Sequence, residues 1–468
     1  MLGYAMLQAR EIASKNVAVV IGHGADHVRA YLEEEQAQFN PVLVVEQTQQ
    51  LGTGHAVQLA YPALVRDSSS VASQYVIMCG DTPLLTTKTV STLVNYHQSE
   101  GATLTLLTTI LPDPSGYGRV IRGKVGTVCR VVEDRDASPE EKQVSEINVG
   151  TYVVEAKFLE KALGQLHPQN AQGEYYLTDI IEMAVQEEKK VVAWVTKDSL
   201  ETTGVNTRVH LALAEKEMRR RICDRLMLDG VTILDPEHVV VDHQVTVGRD
   251  TVLHPGVVLE GQTQVGEQCT IRANSRIANS IVHRGVTIQD TCVLQDSTVE
   301  EEAVIGPMAH LRPGTVIHRK AKIGNFVELK KTEVGEGSKV NHLSYLGDTC
   351  IGENVNVGAG TITCNYDGYR KAKTIIEDNV FIGSDVQLIA PVTIGAGAII
   401  AAGTTVTENV PADALGISRV SQINKEGTAS RRRALLDPSV LPSNGKSGKA
   451  EEQPSITPVL QKQEESPK

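Results

Sequence analysis

Residues 299–329 read VEEEAVIGPMAHLRPGTVIHRKAKIGNFVEL, and an aliphatic residue recurs at every sixth position of this stretch. The same step of six begins at Val247 and, with short phase shifts, returns as far as Val406. A sustained period of six is the signature of a parallel β-helix, in which three hexapeptides form one triangular coil and the repeated aliphatic residue fills its interior. We therefore expect a β-helix over residues 231–424.

The period is broken once, between Thr363 and Ile376, where the chain reads CNYDGYRKAKT. One or two hexapeptides would separate the two phases by six or twelve residues, but here the separation is thirteen. The sequence therefore predicts a loop ejected from the coil, and ejected loops of repeat proteins often carry binding residues.

Residues 1–204 alternate between short β-rich apolar runs and longer amphipathic stretches. The runs are at 17–21, 42–45, 75–79, 103–108, 150–154 and 191–195, with helical patterns at 56–66 and 89–99. This alternation predicts a mainly parallel sheet with helices on both faces, in which ligands bind at the carboxyl ends of the strands. Residues 206–228 contain no Gly or Pro and predict one long helix, with Asn206 as its N-cap and Gly230 as its stop. We expect residues 205–230 to connect the two domains.

Composition and charge exclude several classes of protein. The net charge of −12 is unlike that of a generic nucleic-acid binder. No uncharged apolar run approaches the roughly 18 residues that a membrane helix needs, and residues 1–11 lack the pattern of a signal peptide. Seven Cys without a CxxC pair indicate reduced thiols in a cytoplasmic protein. Residues 425–468, basic and then of low complexity, predict a disordered tail.

Two basic residues mark a candidate anion site on the predicted β-helix. Arg312 and Lys330 each follow an interior aliphatic residue and lie 18 residues apart, so they should stack on adjacent coils about 5 Å apart. Such a pair can bind a phosphate or carboxylate, or can be two solvated surface cations. His342 and Tyr345 follow one coil later, and a neutral His is the commonest general base near pH 7.

Two features of the first domain predict binding at strand ends. Asp81 follows the apolar run 75–79, and a carboxylate at the end of a strand can hold a divalent cation against phosphates. An Asp that only forms a turn would show the same pattern. The segment LGTGHA, at 51–56, is a Gly-rich turn entering a helix, where backbone N–H groups can meet an anion or a base edge.

Several longer segments resemble one family of bifunctional enzymes. These segments are EQTQQLGTGHAVQ, CGDTPLL, GYGRV, EINVGTY and GVNTR in the first domain, and LRPGTVI, IGNFVELKKTEVGEGSKVNHLSYLGD, IGENVNVGAGTITCNYDG and AAGTTVT in the second. They resemble the N-acetylglucosamine-1-phosphate uridylyltransferase and glucosamine-1-phosphate N-acetyltransferase family of bacterial cell-wall precursor synthesis. The resemblance covers about residues 1–430. It implies a Rossmann-like nucleotidyltransferase domain followed by a left-handed parallel β-helix, and a cytoplasmic homotrimer that uses Mg²⁺, acetyl-CoA and UTP.

The resemblance also implies roles for residues of the second domain. His342 resembles the base that takes a proton from the amine of glucosamine 1-phosphate. The residues that resemble the sugar-phosphate contacts are Arg312, Lys330, Tyr345 and Asn356. Those that resemble acetyl-CoA contacts are Ala359, Asn365, Tyr366, Ser384, Ala402 and Arg419.

In the first domain the implied roles concern the nucleotide, the sugar and the metal. Gln47, Gly52 and Thr53 resemble contacts to the uridine nucleotide. Gly118, Glu133 and Asn148 resemble contacts to the sugar. Asp81 and Asn206 resemble the magnesium ligands, and Asn206 also a contact to the UDP-sugar.

The family opens with a strand and a Gly-rich loop that hold the triphosphate, and residues 1–10 resemble a later part of the family pattern. From this we expect a first domain without that loop and a weakened uridylyl transfer. Two other functions fit the sequence: a hexapeptide acyltransferase for another amino sugar, and a non-catalytic sugar-nucleotide-binding scaffold. A scaffold would not need His342, Arg312 and Lys330.

Overall fold

The computed structural model describes residues 1–13, 17–34, 42–67 and 72–436. Most of the expected tail, from residue 437 onward, lies outside these residues. The described part of that tail differs from the expectation, because Thr428–Leu436 form a helix whose residues are not buried. None of the described helices is both long enough and apolar enough to cross a membrane.

The first domain combines eight strands and six helices in its described residues. The helices are α1 (Leu2–Ile12), α2 (Ala25–Glu34), α3 (Thr53–Asp67), α4 (Thr87–Glu100), α5 (Ala156–Leu163) and α6 (Asp179–Gln186). The strands are β1 (Val17–Ile21), β2 (Val42–Glu46), β3 (Gln74–Ile77), β4 (Leu104–Ile110), β5 (Arg119–Arg122), β6 (Val128–Val132), β7 (Glu146–Glu155) and β8 (Val191–Val195). Every apolar run in the first 204 residues therefore contains a strand, with ends shifted by a few residues.

The described strands of the first domain form two sheets. β1 and β2 pair in parallel, as do β4 and β8. The long strand β7 runs antiparallel to β4 along one side and antiparallel to β3 and β5 along the other. β3, β4 and β8 consequently point the same way, as expected, while β7 is inserted in the opposite direction because it returns from the β5–β6 hairpin.

A single helix, α7 (Arg208–Leu228), connects the two domains. Its N-cap is Thr207, whose hydroxyl accepts a hydrogen bond from the backbone N–H of His210 at 3.1 Å. The predicted cap was therefore wrong by one residue, and Asn206 lies just outside the helix. The C-terminal half of α7 buries Ile222, Cys223 and Leu226 in the same hydrophobic cluster as the interior of the β-helix.

The second domain is a β-helix with three faces of parallel strands. The first face holds β9 (Thr232–Ile233), β12 (Val252–Leu253), β15 (Thr270–Ile271), β18 (Thr287–Ile288), β21 (Val304–Ile305), β24 (Lys322–Asn325), β27 (Lys339–His342), β30 (Asn356–Val357), β33 (Phe381–Ile382), β36 (Ile399–Ile400) and β38 (Leu415–Gly416). The second face holds β10 (Val240–Val241), β13 (Val258–Glu260), β16 (Arg276–Ala278), β19 (Val293–Gln295), β22 (His310–Leu311), β25 (Glu328–Lys330), β28 (Tyr345–Gly347), β31 (Ile362–Cys364), β34 (Gln387–Ile389) and β37 (Thr405–Val406). The third face holds β11 (Thr246–Val247), β14 (Gln264–Val265), β17 (Ile281–Val282), β20 (Thr298–Val299), β23 (Val316–Ile317), β26 (Glu333–Val334), β29 (Thr349–Ile351), β32 (Thr374–Ile376) and β35 (Val392–Ile394).

The six-residue period corresponds to one strand and one corner of this triangle. The aliphatic residues of the period point inward, and Leu311, Ile317 and Leu329 are fully buried. At the corners the coils approach closely, since a Cβ on Gly324 would lie 1.9 Å from the carbonyl oxygen of Asn341 on the next coil. Only a residue without a side chain fits there, which explains why Gly follows the interior residue so often.

The interruption forms a loop, as the sequence predicts. Strand β31 ends at Cys364 and the next strand begins at Thr374, and both strands pair with the coils on either side. Residues 365–373 leave the coil where the second face turns into the third, and the β-helix continues beyond them.

Candidate active sites

We call the turn from the first face to the second the first corner, and the turn from the second face to the third the second corner. His342 ends strand β27 at the first corner, and Asn325 is its register partner on the preceding coil. The Nδ1 atom of His342 lies 2.8 Å from Asn325 Oδ1. Because an amide oxygen only accepts, a neutral His342 ring carries its proton on Nδ1 and has its lone pair on Nε2. The neutral imidazole thus presents Nε2 as its proton acceptor.

Four of the expected acetyl-CoA contacts continue up the same corner, about 5 Å per coil. The backbone oxygen of His342 accepts from the N–H of Gly360, next to Ala359. The backbone oxygen of Ala359 accepts from the N–H of Asp385, which follows Ser384. The backbone oxygen of Ser384 accepts from the N–H of Gly403, which follows Ala402. Arg419 is the last residue of this series, since its Cδ lies 3.7 Å from a Cβ built on Gly403. His342, Ala359, Ser384, Ala402 and Arg419 therefore form one continuous edge, which we call the first-corner column.

The expected phosphate contacts lie mainly on the second face. Leu311 and Leu329 are register partners, so Arg312 and Lys330 stack on adjacent coils as predicted. A carboxylate that the sequence analysis missed lies with them, because Arg312 Nη1 forms an ion pair of 2.8 Å with Glu328 Oε1. Tyr345 is the register partner of Glu328 on the next coil, so the three expected contacts on this face are neighbours.

The ejected loop adds a second ammonium group to this face. The pKa of Lys371 is lowered by its close side-chain approach to Lys330 and by the positive charge of that residue. Two ammonium groups that approach each other gain most from an anion between them. Lys371 also lines a cavity of about 230 Å³ together with Lys331, Asp348, Ala372 and Lys373. The sequence analysis missed Lys371, although its position in the ejected loop was a usable signal.

Three predicted residues lie away from the group with which they were expected. Asn365 is buried at the second corner, where its Nδ2 donates to Asp348 Oδ2 at 2.5 Å. The Tyr366 hydroxyl donates to the carbonyl of Gly368 within the loop. The structure thus does not bring these two expected acetyl-CoA contacts to the first-corner column. Asn356 lies on the first face beside Lys339, apart from the other phosphate contacts.

In the first domain, the expected nucleotide contacts surround the turn after β2. The Gln47 side chain is buried and donates to the carbonyl of Gly52 at 3.0 Å. Gly52 has a φ of +104°, and a Cβ there would lie 2.6 Å from the carbonyl oxygen of Tyr175. Thr53 accepts a hydrogen bond from the N–H of Leu177. The turn is therefore rigidly held at the carboxyl end of β2, where ligands of such sheets bind.

The three expected sugar contacts lie together. The N–H of Asn148 donates to the carbonyl of Gly118 at 2.8 Å, and a Cβ on Gly118 would lie 3.3 Å from Glu133 Oε2. Burial raises the pKa of Glu133, although a hydrogen bond from Thr178 opposes the shift.

Burial, with the nearby Asp81 and Glu133 charges, raises the pKa of Cys79 to about 12, so this thiol remains protonated and is not a nucleophile.

The two expected metal ligands lie near each other, on either side of Gly204. Asp81 Oδ2 and Asn206 Nδ2 lie 3.5 and 3.8 Å from a Cβ built on Gly204. The N–H of Val205 donates to the backbone carbonyl of Asp81 at 2.9 Å, which links the two segments directly. One or two protein ligands with oxygen donors, completed by water and substrate phosphates, suit Mg²⁺. No cluster of three or more Cys, His, Asp or Glu that could hold a metal occurs within the described ranges.

Comparisons with known proteins agree with this division. The family model for nucleotidyl transferases matches residues 1–207, and the model for bacterial transferase hexapeptides matches residues 244–279 and 373–408. The curated relatives include the bifunctional protein GlmU of Trichlorobacter lovleyi, 48% identical over 92% of this chain and 92% of the relative. The GlmU protein of Pelobacter propionicus is 48% identical over 91% of both chains, and that of Caldanaerobacter subterraneus 49% identical over 92% of both.

These findings bear on the expectation of a missing nucleotide loop and a weakened first activity. They do not support it, because the nucleotidyl transferase match spans residues 1–207 and the relatives align over nine-tenths of their length. They support the predicted order of a nucleotidyltransferase-type domain followed by hexapeptide repeats. The chain belongs to the family of the bifunctional protein GlmU.

Proposed function

We propose that this chain catalyses two consecutive reactions with the residues described above. The β-helix transfers an acetyl group from acetyl-CoA to the amine of glucosamine 1-phosphate. The first domain then joins the resulting N-acetylglucosamine 1-phosphate to UTP and releases pyrophosphate. Membership of the GlmU family supports both reactions. The observation that carries the acetyl-transfer site is the hydrogen bond between His342 and Asn325, which leaves Nε2 free at the foot of the first-corner column.

In the acetyl transfer, Nε2 of His342 takes a proton from the amine as the amine attacks the thioester carbonyl. The C–S bond then breaks, and coenzyme A leaves as its thiol after the protonated imidazole returns a proton to the sulfur. Arg312 and Lys330 hold the phosphate of the sugar, with Tyr345 and Asn356 as further contacts. Glu328 keeps the Arg312 guanidinium in place through their ion pair. The coenzyme lies along the first-corner column, and Asn365 and Tyr366 of the ejected loop contribute to its binding.

In the uridylyl transfer, a phosphate oxygen of the sugar attacks the α-phosphorus of UTP in line with the departing pyrophosphate. Catalysis of this kind consists mostly of positioning and of charge neutralisation. Gln47, Gly52 and Thr53 orient the nucleotide, and Gly118, Glu133 and Asn148 orient the sugar. Asp81 and Asn206 hold Mg²⁺, which when bound offsets the charge of the phosphates.

We further propose that the chain acts as a trimer in the cytoplasm. A β-helix coil contacts only its neighbours along the axis, so its outer faces remain available to other subunits. The split of the expected coenzyme contacts supports this assembly, because Asn365 and Tyr366 lie at the second corner while the other contacts lie at the first. The loop of one subunit can complete the column of the next.

The first experiment replaces His342 with Ala and measures both reactions. Loss of a general base typically costs ~10²–10⁴-fold, so acetyl transfer should fall on that scale while uridylyl transfer is unchanged. His283→Ala is the matched control, since His283 is also an exposed histidine of the β-helix. Acetyl transfer within about threefold of the wild type in His342→Ala would exclude His342 as the base.

The second experiment tests the phosphate contacts. Arg312→Ala should lower kcat/KM for glucosamine 1-phosphate about ten- to hundredfold, as expected for a lost charge-assisted contact, and should leave the slow use of glucosamine unchanged. Arg276→Ala is the matched control, because Arg276 forms the same kind of ion pair, with Glu260, on the same face. Equal losses with both acceptors would mean that Arg312 does not recognise the phosphate.

A further inference from the structure

Two side chains that lie far from Asp81 in the sequence donate hydrogen bonds to consecutive carbonyls of the segment that carries Asp81. Residues 80–85 connect β3 to the turn before α4. Arg221, in α7, donates from Nη1 to the carbonyl of Leu84 at 2.6 Å, and Gln8, in α1, donates from Nε2 to the carbonyl of Leu85. The side chains of Leu84 and Leu85 are almost fully buried. The end of this segment is thus fixed from two sides.

The guanidinium of Arg221 is also oriented by an ion pair within α7. Its Nε donates to Glu217 Oε1 at 2.8 Å, and the Glu217 side chain is only 10% exposed. Arg220 uses the same carboxylate but is 59% exposed and pairs in addition with Asp224. Arg221 is less exposed than Arg220, at 23%, and unlike Arg220 it donates to a carbonyl of the segment that carries Asp81.

Helix α7 and the residues just before it contact this segment at two places, Asp81 and Leu84. Just before its N-terminus, Val205 donates to the carbonyl of Asp81, and Asn206 lies near the carboxylate of Asp81. Thirteen residues into the helix, Arg221 holds Leu84. The regular rise of the helix sets the separation between Arg221 and the residues just before the helix that contact Asp81.

The same turn of α7 is anchored in the β-helix. Ile222 and Cys223, next to Arg221, belong to the buried cluster that fills the β-helix interior. Helix α1, which supplies Gln8, also reaches the β-helix, since the rings of Tyr4 and His243 are 5.3 Å apart. Both helices that donate hydrogen bonds to the segment, α1 and α7, thus also contact the first coils of the β-helix.

We propose that Arg221 is a positioning residue for uridylyl transfer. It fixes residues 80–85 against α7 so that Asp81 and Asn206 keep the spacing that a divalent cation requires, and it ties this spacing to the first coils of the β-helix. This inference rests on the proposed role of Asp81 and Asn206 as metal ligands. Groups that orient metal ligands typically matter by 10–100-fold in metal affinity or activity.

The test compares Arg221→Gln with Arg220→Gln in the full chain. We expect the Mg²⁺ concentration for half-maximal uridylyl transfer to rise about tenfold in Arg221→Gln and to stay unchanged in Arg220→Gln. Calorimetric titration of Mg²⁺ in the presence of UTP should show the same weakening without turnover. Hydrogen exchange of the amides of residues 80–86 should be faster in Arg221→Gln alone, and acetyl transfer should stay within about twofold of the wild type. Arg221→Lys, which keeps the charge and one donor, should give an intermediate shift and serves if Arg221→Gln does not fold.

Asp81→Asn separates failure of this inference from failure of the proposed metal site. If Asp81→Asn weakens Mg²⁺ binding and Arg221→Gln matches Arg220→Gln, Arg221 does not position the ligand. If Asp81→Asn leaves Mg²⁺ binding unchanged, the proposed metal site itself is wrong. Equal losses of both activities in Arg221→Gln and Arg221→Lys, with a lower melting temperature, would reduce Arg221 to a purely structural role and overturn the proposal.

Discussion

Single residues decide which ring nitrogen of His342 the proposed acetyl-transfer site presents. His342 is exposed at the surface of the β-helix, and its Nδ1 faces an acceptor on the preceding coil. The choice of tautomer therefore depends on Asn325, which is a strand residue that the sequence analysis did not single out. Its signal was its spacing, since Asn325 lies 17 residues before His342 and coils of 17 or 18 residues recur through the repeat.

Replacing Asn325 with Leu should lower kcat of acetyl transfer about three- to tenfold, the usual worth of one neutral hydrogen bond, with little change in KM for the sugar phosphate. The ring then loses the contact that keeps Nε2 free. The double variant with His342→Ala provides the control, because Asn325→Leu should have no further effect once the imidazole is gone. An additive loss in the double variant would show that Asn325 acts independently of His342.

A second histidine links three coils of the third face. His318 Nδ1 lies 3.0 Å from Glu300 Oε2, and its Nε2 lies 2.8 Å from Glu333 Oε1. Partial burial lowers the pKa of His318, but the hydrogen bonds to Glu333 and Glu300 outweigh this effect and the net pKa is raised. Both ring nitrogens can donate only when the imidazole is protonated.

This arrangement predicts a pH-dependent contribution to stability. Since the folded-state pKa lies above the unfolded value near 6.5, the contribution is fully present below pH 6.5 and is lost as the pH rises through the folded pKa. Urea denaturation at pH 6 and pH 9 should therefore show a larger difference between the wild type and His318→Gln at pH 6. A difference that grows toward pH 9 would contradict the proposed charge on His318.

At the scale of the coil, the corners set how closely the strands can stack. A Cβ on Gly324 would meet the carbonyl of Asn341 at 1.9 Å, and a Cβ on Gly335 would meet that of Gly352 at 2.3 Å. Either site must shift its neighbouring backbone to accept a side chain. The two glycines differ in what that neighbour carries, because Asn341 directly precedes His342.

We expect Gly324→Ala and Gly335→Ala to lower the free energy of unfolding by similar amounts, about 1–3 kcal/mol. Only Gly324→Ala should also reduce acetyl transfer at a temperature at which both variants remain folded, since it displaces the strand that ends at His342. Melting curves and acetyl-transfer rates of the two variants provide the measurement. Equal activity in both would show that the position of His342 tolerates a shift of its strand.

At the scale of the whole molecule, the first face carries an exposed apolar column. Phe381, Ile399 and Leu415 are register partners on three successive coils, and each is about half exposed or more. Asn356 is the register partner of Phe381, so this column continues directly from a proposed substrate contact. Contiguous exposed apolar residues of this kind mark protein–protein contacts, and the proposed trimer supplies one.

Ile399→Glu should therefore dissociate the trimer and lower acetyl transfer, while uridylyl transfer is maintained. Burying an unpaired charge in an interface costs several kcal/mol. Ile281→Glu is the matched control, because Ile281 is a similarly exposed isoleucine on the third face. Sedimentation velocity measures the assembly, and a fully active monomer of Ile399→Glu would contradict the proposed role of the trimer.

The whole chain is thus a bifunctional transferase whose two domains have separate hydrophobic clusters in the described residues and are joined by one helix. The cluster of the β-helix extends from Ile222 to Val406, and the buried clusters of the first domain lie before it. The helix that joins them contributes to the β-helix core and, through the hydrogen bond of Arg221 to Leu84, contacts the segment of the first domain that carries Asp81. Of the expected boundaries, 205–230 for the connector differs by a few residues from the helix at 208–228.

The sequence by itself determined the β-helix, because each interior position repeats the same environment and the period of six appears directly in the residue order. It also determined the stacking of Arg312 on Lys330 and the ejected loop, since both follow from counting along that period. Tertiary structure alone decided the contacts between residues that are far apart in the sequence. Asp81 meets Asn206, and Arg221 meets Leu84 across 137 residues, without any periodic signal. It also decided that β7 enters the sheet antiparallel and that Asn365 and Tyr366 lie at a different corner from Arg419. Such contacts depend on how complete elements pack, and a local pattern of hydrophobicity carries no information about them.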